Sequence, residues 1–177
     1  MGVYKIDMTK EYKHNTIIMA IFNCCSMAAM NQTKDHIVLE SKTKENTDYL
    51  TLEGEEFDAK IVYIYDGDTM HCVFEAFGAY YRWNCRVMGV DTPELRTKNA
   101  NEKELGYKVR DILRGHFQDK IVKIKCGEFD KYGRLLIDVY MPEYVPNTNG
   151  STFLSEWLIV NKYAYAYGGG TKQSWDV

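Results

Sequence analysis

The chain has 177 residues, of which 45% are hydrophobic and 27% charged, a composition typical of a soluble globular protein and not of a disordered chain. The formal net charge of −3 gives no overall attraction to polyanions, so any nucleic-acid binding must come from local groups of cations. The five cysteines include no Cys-x-x-Cys pair, which argues against a zinc site, and their odd number argues against a disulfide framework.

The N-terminal part contains one apolar run, Ile17 to Met30, which is too short to span a membrane as a typical helix. It is compatible with a signal peptide that has a poor cleavage site at residues 26–28. Palmitoylation at Cys24 and Cys25 is a second interpretation, and an amphipathic or buried segment is a third. Secretion and membrane association through this segment therefore both stay open.

Residues 31–55 are polar and charged and are interpreted as a linker. From Phe57 the sequence becomes rich in β-branched and aromatic residues. We therefore divide the chain into an N-terminal extension, residues 1–56, and a folded domain, residues 57–177.

The folded domain begins with three predicted strands, Phe57–Tyr65, Met70–Phe77 and Tyr80–Val90. Turns at Asp66-Gly67-Asp68 and at Gly78 separate them, so the three strands are expected to form a meander.

A helical period follows, and it predicts a helix over Asn101–Phe117. The apolar face of this helix consists of Leu105, Val109, Ile112, Leu113 and Phe117. Strict alternation then predicts a strand over Lys120–Cys126, which pairs as a hairpin with Leu135–Met141. A second helix is predicted over Thr152–Lys162, and its buried residues are Leu154, Trp157 and Leu158.

This order of elements indicates an α+β fold that is mainly β, a five-stranded OB-type barrel with two flanking helices. Three cysteines, Cys72, Cys85 and Cys126, lie in predicted strands and are interpreted as small core side chains.

Three short segments carry the candidate chemistry: residues 66–69 (Asp-Gly-Asp-Thr), residues 86–94 (Arg-Val-Met-Gly-Val-Asp-Thr-Pro-Glu) and residues 130–134 (Asp-Lys-Tyr-Gly-Arg). They supply carboxylates for a hard metal ion, two arginines for a phosphate and a further glutamate. Each segment alone is usually a structural turn or strand end. Together they provide the groups needed for metal-assisted hydrolysis of a phosphodiester.

Taken jointly, the three segments resemble the staphylococcal nuclease (thermonuclease-like) family. The short Gly-Gly-Gly-Thr-Lys ending is similar to that of members from large DNA viruses and some eukaryotes. The resemblance covers roughly Phe57 to Tyr167. It implies that the third, C-terminal helix of the family is missing or truncated here.

The resemblance implies a calcium site formed by the carboxylates of Asp68 and Asp91 and the carbonyl of Thr92. Asp66 is expected to orient the same loop or a bound water. Oxygen ligands of this kind suit a hard cation.

The resemblance also implies catalytic roles for Arg86, Glu94 and Arg134. The arginines would hold the scissile phosphate, and the glutamate would activate or position the attacking water. The implied substrate-binding residues are Lys131, Tyr132, Tyr165 and Tyr167.

The expected function is that of a calcium-dependent nuclease that cleaves DNA and RNA with low sequence specificity and leaves 3′-phosphate products. Single-stranded or frayed substrates are expected to be preferred, the protein is expected to be a monomer, and no protein partner is implied. The alternative is a catalytically weak or inactive OB-fold module that binds nucleic acid or protein. Secreted, membrane-tethered, host-cell and virion locations all stay open.

Overall fold

The computed structural model describes residues 35–170 and 172–175. The chain divides into two compact units between Leu50 and Thr51. In the first unit, residues 35–40 are helical and exposed, and this helical stretch, α1, lies within the stretch predicted as a linker. The apolar run at residues 17–30 lies outside the described residues. Within the described part of the chain, no helix is both long and apolar enough to cross a membrane.

Five strands close into a barrel in the second unit. They are β1 (Glu56–Ile64), β2 (Thr69–Ala76), β3 (Ala79–Val87), β5 (Ile121–Phe129) and β6 (Leu135–Val139). The strands are hydrogen-bonded in the order β1-β2-β3-β6-β5, and β1 pairs with β5 to complete the barrel. The β3–β6 pair is parallel and the others are antiparallel. The predicted five-stranded, mainly β barrel is therefore confirmed.

A separate two-stranded sheet joins β4 (Val90–Asp91) to β7 (Tyr165–Ala166), and the sequence did not predict it. The third predicted strand does not run through Val90 without interruption. The chain leaves the barrel after β3, turns at Gly89 with φ 73°, and continues as β4. Asp91 consequently pairs with Tyr165 outside the barrel.

Two helices of the described residues flank the barrel. The first, α2 (Ala100–Phe117), begins at Asn99, whose Oδ1 accepts hydrogen bonds from the N–H groups of residues 101 and 102. The second, α3 (Leu154–Val160), is shorter at both ends than predicted. Its last turn closes at Asn161, and Lys162 then adopts a left-handed conformation with φ 60°.

The barrel core contains most of the residues predicted to be buried. Cys72, Cys85 and Cys126 are free thiols at 0–2% exposure, as expected for small core side chains. Val109, Leu113 and Phe117 of α2 and the predicted apolar residues of α3 are also buried. Leu52, which lies in the predicted linker, is a core residue as well, at 5% exposure.

Helix α2 packs closely against the segment that follows β4. A Cβ atom on Gly106 would lie 2.8 Å from the Pro93 carbonyl oxygen and 3.0 Å from Leu95 Cδ2. Only a residue without a side chain permits this approach. Gly115 of the same helix has no such neighbour within 4 Å.

Gly106→Ala is therefore expected to destabilise the protein, although alanine is normally the better helix former. Overpacking of this kind costs about 1–3 kcal/mol in the free energy of unfolding. Urea unfolding followed by circular dichroism measures the change. The matched control is Gly115→Ala, which is expected to stabilise the protein by about 0.5–1 kcal/mol. Equal effects of the two substitutions would contradict the proposed close packing.

Candidate active site

The turn between β1 and β2 is held by one carboxylate. Asp66 Oδ1 accepts hydrogen bonds from the N–H groups of Asp68 at 3.1 Å and Thr69 at 2.8 Å. Asp66 is itself buried, at 8% exposure. It therefore fixes the backbone on which Asp68 is carried.

Asp68 forms a buried ion pair with Arg86 of β3. The Nη1 atom of Arg86 lies 2.6 Å from Asp68 Oδ2, and the hydroxyl of Thr69 donates to Asp68 Oδ1 at 2.8 Å. Burial and the neighbouring charge of Asp66 raise the pKa of Asp68 to about 7, against the lowering effect of Arg86 and Thr69. Asp68 is thus a carboxylate in an environment short of positive charge.

Arg86 also reaches toward β4. Its Nη2 atom donates to the carbonyl of Val90 at 3.1 Å and lies 4.0 Å from Asp91 Oδ1. Asp91 is 2% exposed. One guanidinium therefore stands between the two carboxylates that the sequence assigns to the metal.

Thr92 is buried and packs on the turn that carries Asp68. A Cβ atom on Gly67 would lie 2.7–2.9 Å from the side-chain atoms of Thr92. The two segments that supply the predicted metal ligands therefore touch each other through a glycine.

Glu94 has a fixed backbone and an exposed side chain. Its N–H donates to Glu102 Oε1 of α2 at 3.1 Å. Its Oε1 accepts from the Lys172 ammonium at 2.5 Å, and the same ammonium lies 2.7 Å from Asp91 Oδ1. The Asp91 contact is an ion pair that lacks well-directed hydrogen-bond geometry. Burial of the ammonium opposes its charge, but the contacts with Asp91 and Glu94 raise the pKa of Lys172.

Arg134 is oriented by Asp130 at the other end of the hairpin turn. Its Nε donates to Asp130 Oδ2 at 2.7 Å, and its backbone N–H donates to Asp130 Oδ1. Burial works against ionisation of Asp130, but these hydrogen bonds and one from the Tyr132 N–H lower its pKa. The Arg134 guanidinium also lies 5.5 Å from the Tyr132 ring centroid.

A cleft of about 830 Å³ gathers most of the predicted site residues. Its charged lining side chains are Arg86, Lys131, Arg134, Lys172, Glu94 and Asp130. Four cations and two carboxylates give this cleft a net charge of +2, in a chain whose net charge is −3. Such a lining favours an anionic ligand such as a phosphate.

The two predicted base-stacking tyrosines differ in their surroundings. Tyr167 lines the cleft together with Tyr132. Tyr165 instead stacks on Trp175, with ring centroids 4.1 Å apart and an interplanar angle of 30°. The structure therefore brings Tyr167 to the cleft and covers a face of Tyr165.

The donor atoms are suited to a hard divalent cation. Asp68 and Asp91 are buried oxygen donors that share Arg86 as a neighbour. Among the described residues there is no group of three or more metal-binding side chains. A cation here would accordingly take two carboxylates and the predicted carbonyl from the protein, with water or substrate oxygens as the other ligands.

Sequence reasoning assigned no site role to Asp130, Lys172 or Trp175. Asp130 belonged to a segment that was already recognised, and its position four residues before Arg134 was the available signal. Lys172 and Trp175 carried no local pattern, because their contacts are made with residues far away in the sequence.

The Staphylococcal nuclease homologue family model matches residues 84–174 of the chain. An uncharacterized protein of Methanocaldococcus jannaschii is 30% identical over 132 residues, which cover 63% of this chain and 59% of that protein. The thermonuclease of Staphylococcus hyicus is 31% identical over 84 residues, which cover 46% of this chain and 47% of the thermonuclease. The chain thus spans about half to three fifths of the length of these relatives.

Asp66→Asn is expected to lower the pKa of Asp68 from its value of about 7. Asparagine keeps an oxygen that can accept the two backbone hydrogen bonds but removes the negative charge that favours protonation of Asp68. A carboxyl-carbon NMR titration in the presence of chelator measures this pKa. Asp58→Asn, which changes an exposed carboxylate of β1, is the control. If Asp68 titrates identically in all three proteins, burial alone raises its pKa.

Proposed function

Because the chain belongs to the staphylococcal nuclease homologue family, we propose that it is a calcium-dependent nuclease that hydrolyses phosphodiester bonds of DNA and RNA with low sequence specificity. The observation that carries the proposal is the shared cleft of Arg86, Glu94 and Arg134 next to the buried carboxylates Asp68 and Asp91. The name of the Staphylococcus hyicus relative, a thermonuclease, supports the same reaction class.

In the proposed reaction, Glu94 accepts a proton from the attacking water. The water attacks phosphorus in line with the bond to the 5′ oxygen. Breakage of that bond leaves a 3′-phosphate on one product, and the 5′ oxygen of the other takes up a proton from solvent to become a hydroxyl. Arg86 and Arg134 donate hydrogen bonds to the phosphate oxygens, where negative charge increases in the transition state. Asp130 is a positioning residue, since its carboxylate accepts a hydrogen bond from Arg134 Nε and so orients the guanidinium.

Asp68, Asp91 and the Thr92 carbonyl would hold the metal ion, and Asp66 would keep the turn that carries Asp68 in place. When bound, a divalent cation supplies Lewis acidity toward a phosphate oxygen. Lys131, Tyr132 and Tyr167 line the cleft and are the proposed contacts to the remaining phosphate, sugar and base. Unpaired bases reach such aromatic rings more easily than stacked ones, which favours single-stranded or frayed substrates.

Glu94→Gln is expected to lower kcat by about 10²–10⁴-fold, the usual contribution of a general base. Arg134→Ala is expected to lower it by about 10²–10³-fold, the usual effect of losing one transition-state donor. Cleavage of labelled single-stranded DNA and RNA measures both. The matched controls are Glu104→Gln and Arg82→Ala, which change exposed side chains on α2 and β3.

Full activity in Glu94→Gln, with a folded protein and active controls, would disprove the mechanism. If the native protein binds these substrates but cleaves neither in any divalent metal, it is instead a nucleic-acid-binding module on the same barrel.

The second expectation concerns the metal. Chelator should abolish cleavage, and added calcium should restore it. Asp91→Asn should raise the calcium concentration needed for half-maximal activity by at least about tenfold. Loss of a residue that merely hydrogen-bonds to a metal ligand already lowers metal affinity by about 10–100-fold, and Asp91 is proposed as a ligand itself. Asp58→Asn is the charge-matched control and should leave this concentration unchanged. If magnesium restores cleavage and calcium does not, the proposed metal is wrong but the proposed hydrolytic reaction stands.

A further inference from the structure

The residues after β7 return to the cleft and form one of its walls. We refer to residues 168–170 and 172–175, which the structure describes, as the C-terminal strap. Gly168, Gly169, Gly170 and Lys172 of the strap line the cleft beside Arg86. The strap is thus part of the proposed active site.

The strap is anchored on both sides of Lys172. On the near side, the Tyr167 hydroxyl donates to the Gly170 carbonyl at 2.9 Å. On the far side, Trp175 is 5% exposed and stacks on Tyr165. The carbonyl of Trp175 also accepts a hydrogen bond from Asn99 Nδ2, at the residue where α2 begins, at 3.3 Å.

Between these anchors, the Lys172 ammonium contacts two carboxylates of the proposed site. It lies 2.7 Å from Asp91 Oδ1 and 2.5 Å from Glu94 Oε1. The Lys172 side chain is 44% exposed, whereas that of Asp91 is 3% exposed. The lysine therefore approaches from the solvent side and covers the carboxylate beneath it.

Each of the two proposed metal-binding carboxylates consequently has a different cation in closest contact. Asp68 pairs with Arg86, and Asp91 pairs with Lys172. A divalent ion bound to Asp91 would repel an ammonium held on the same oxygen, since like charges at this separation in a partly buried site interact strongly. Metal and Lys172 are therefore alternatives at Asp91.

We propose that Lys172 is a resident counter-cation that competes with the divalent metal for Asp91, so that the C-terminal strap sets the metal affinity of the site. This inference rests on the proposed function, because it requires that Asp91 binds the metal. Metal binding displaces the ammonium from Asp91, and release of the same ammonium from Glu94 restores that carboxylate as a free proton acceptor.

The strap has the backbone freedom for such a displacement. Three consecutive glycines precede Lys172, Gly169 has φ 88°, and no atom outside the adjoining residues lies within 4 Å of where their Cβ atoms would be. Trp175 packs on Tyr165 and not within the barrel core. Movement of the strap therefore leaves the core intact.

The test is calcium binding to the full chain by isothermal titration calorimetry, without substrate. Lys172→Met is expected to bind calcium about tenfold more tightly than the native protein, the factor that corresponds to loss of one charge-assisted contact. Lys108→Met, which changes an exposed lysine of α2, is the matched control and should bind like the native protein. Trp175→Ala removes the anchor but keeps the lysine, and its affinity should also rise.

A second readout follows the strap itself. Tryptophan fluorescence should change on calcium addition to the native protein, because the Trp175–Tyr165 stack opens, and should not change in Trp175→Phe. Equal calcium affinity of the native protein and Lys172→Met would overturn the competition while leaving the metal site in place. If neither the native protein nor Lys172→Met binds calcium, and Asp91→Asn does not change the calcium concentration needed for half-maximal activity, the proposed metal site is wrong. This inference is then overturned with it.

Discussion

The geometry of the site depends on one guanidinium that stands between buried carboxylates. Arg86 pairs with Asp68 at 2.6 Å and lies 4.0 Å from Asp91, two groups whose negative charges would otherwise repel in a region of low dielectric. The barrel delivers this contact through its register, since Arg86 on β3 lies opposite Thr69, the residue after Asp68, on β2. A slip of one residue between these strands would turn the guanidinium to the other face and leave Asp68 without its cation.

Close contacts made by two glycines then position the segment between β4 and α2. Gly67 touches the Thr92 side chain from the barrel side, and Gly106 touches the Pro93 carbonyl from the helix side. Glu102 completes the enclosure by accepting the Glu94 N–H. The backbone of Glu94 is therefore fixed by packing and hydrogen bonding, while its carboxylate stays exposed to solvent and to the cleft. The position of the proposed proton acceptor is thus set by its backbone, and Lys172 contacts its carboxylate in this structure.

Periodicity predicted the barrel strands and α2 because each has a continuous buried face, as the alternation over β5 and the spacing of Val109 and Leu113 illustrate. The site segments were found by their resemblance to a family. The β4–β7 pair was missed because a two-residue strand has no period, and α1 was missed because its residues are all exposed. Lys172 was missed for a different reason: its partner Glu94 lies 78 residues away, and only the folded chain brings them together.

The charges of the site indicate that metal binding, as proposed, is an exchange of cations. Burial and Asp66 hold the pKa of Asp68 near 7 even with Arg86 in contact, so one guanidinium does not fully compensate the negative charge collected there. A divalent ion would supply the missing positive charge. If it takes over Asp68, Arg86 loses its tight partner and becomes available to a phosphate in the cleft that it lines. Metal and phosphate binding are then linked through Arg86, because the guanidinium that the metal releases from Asp68 is the group that binds the phosphate.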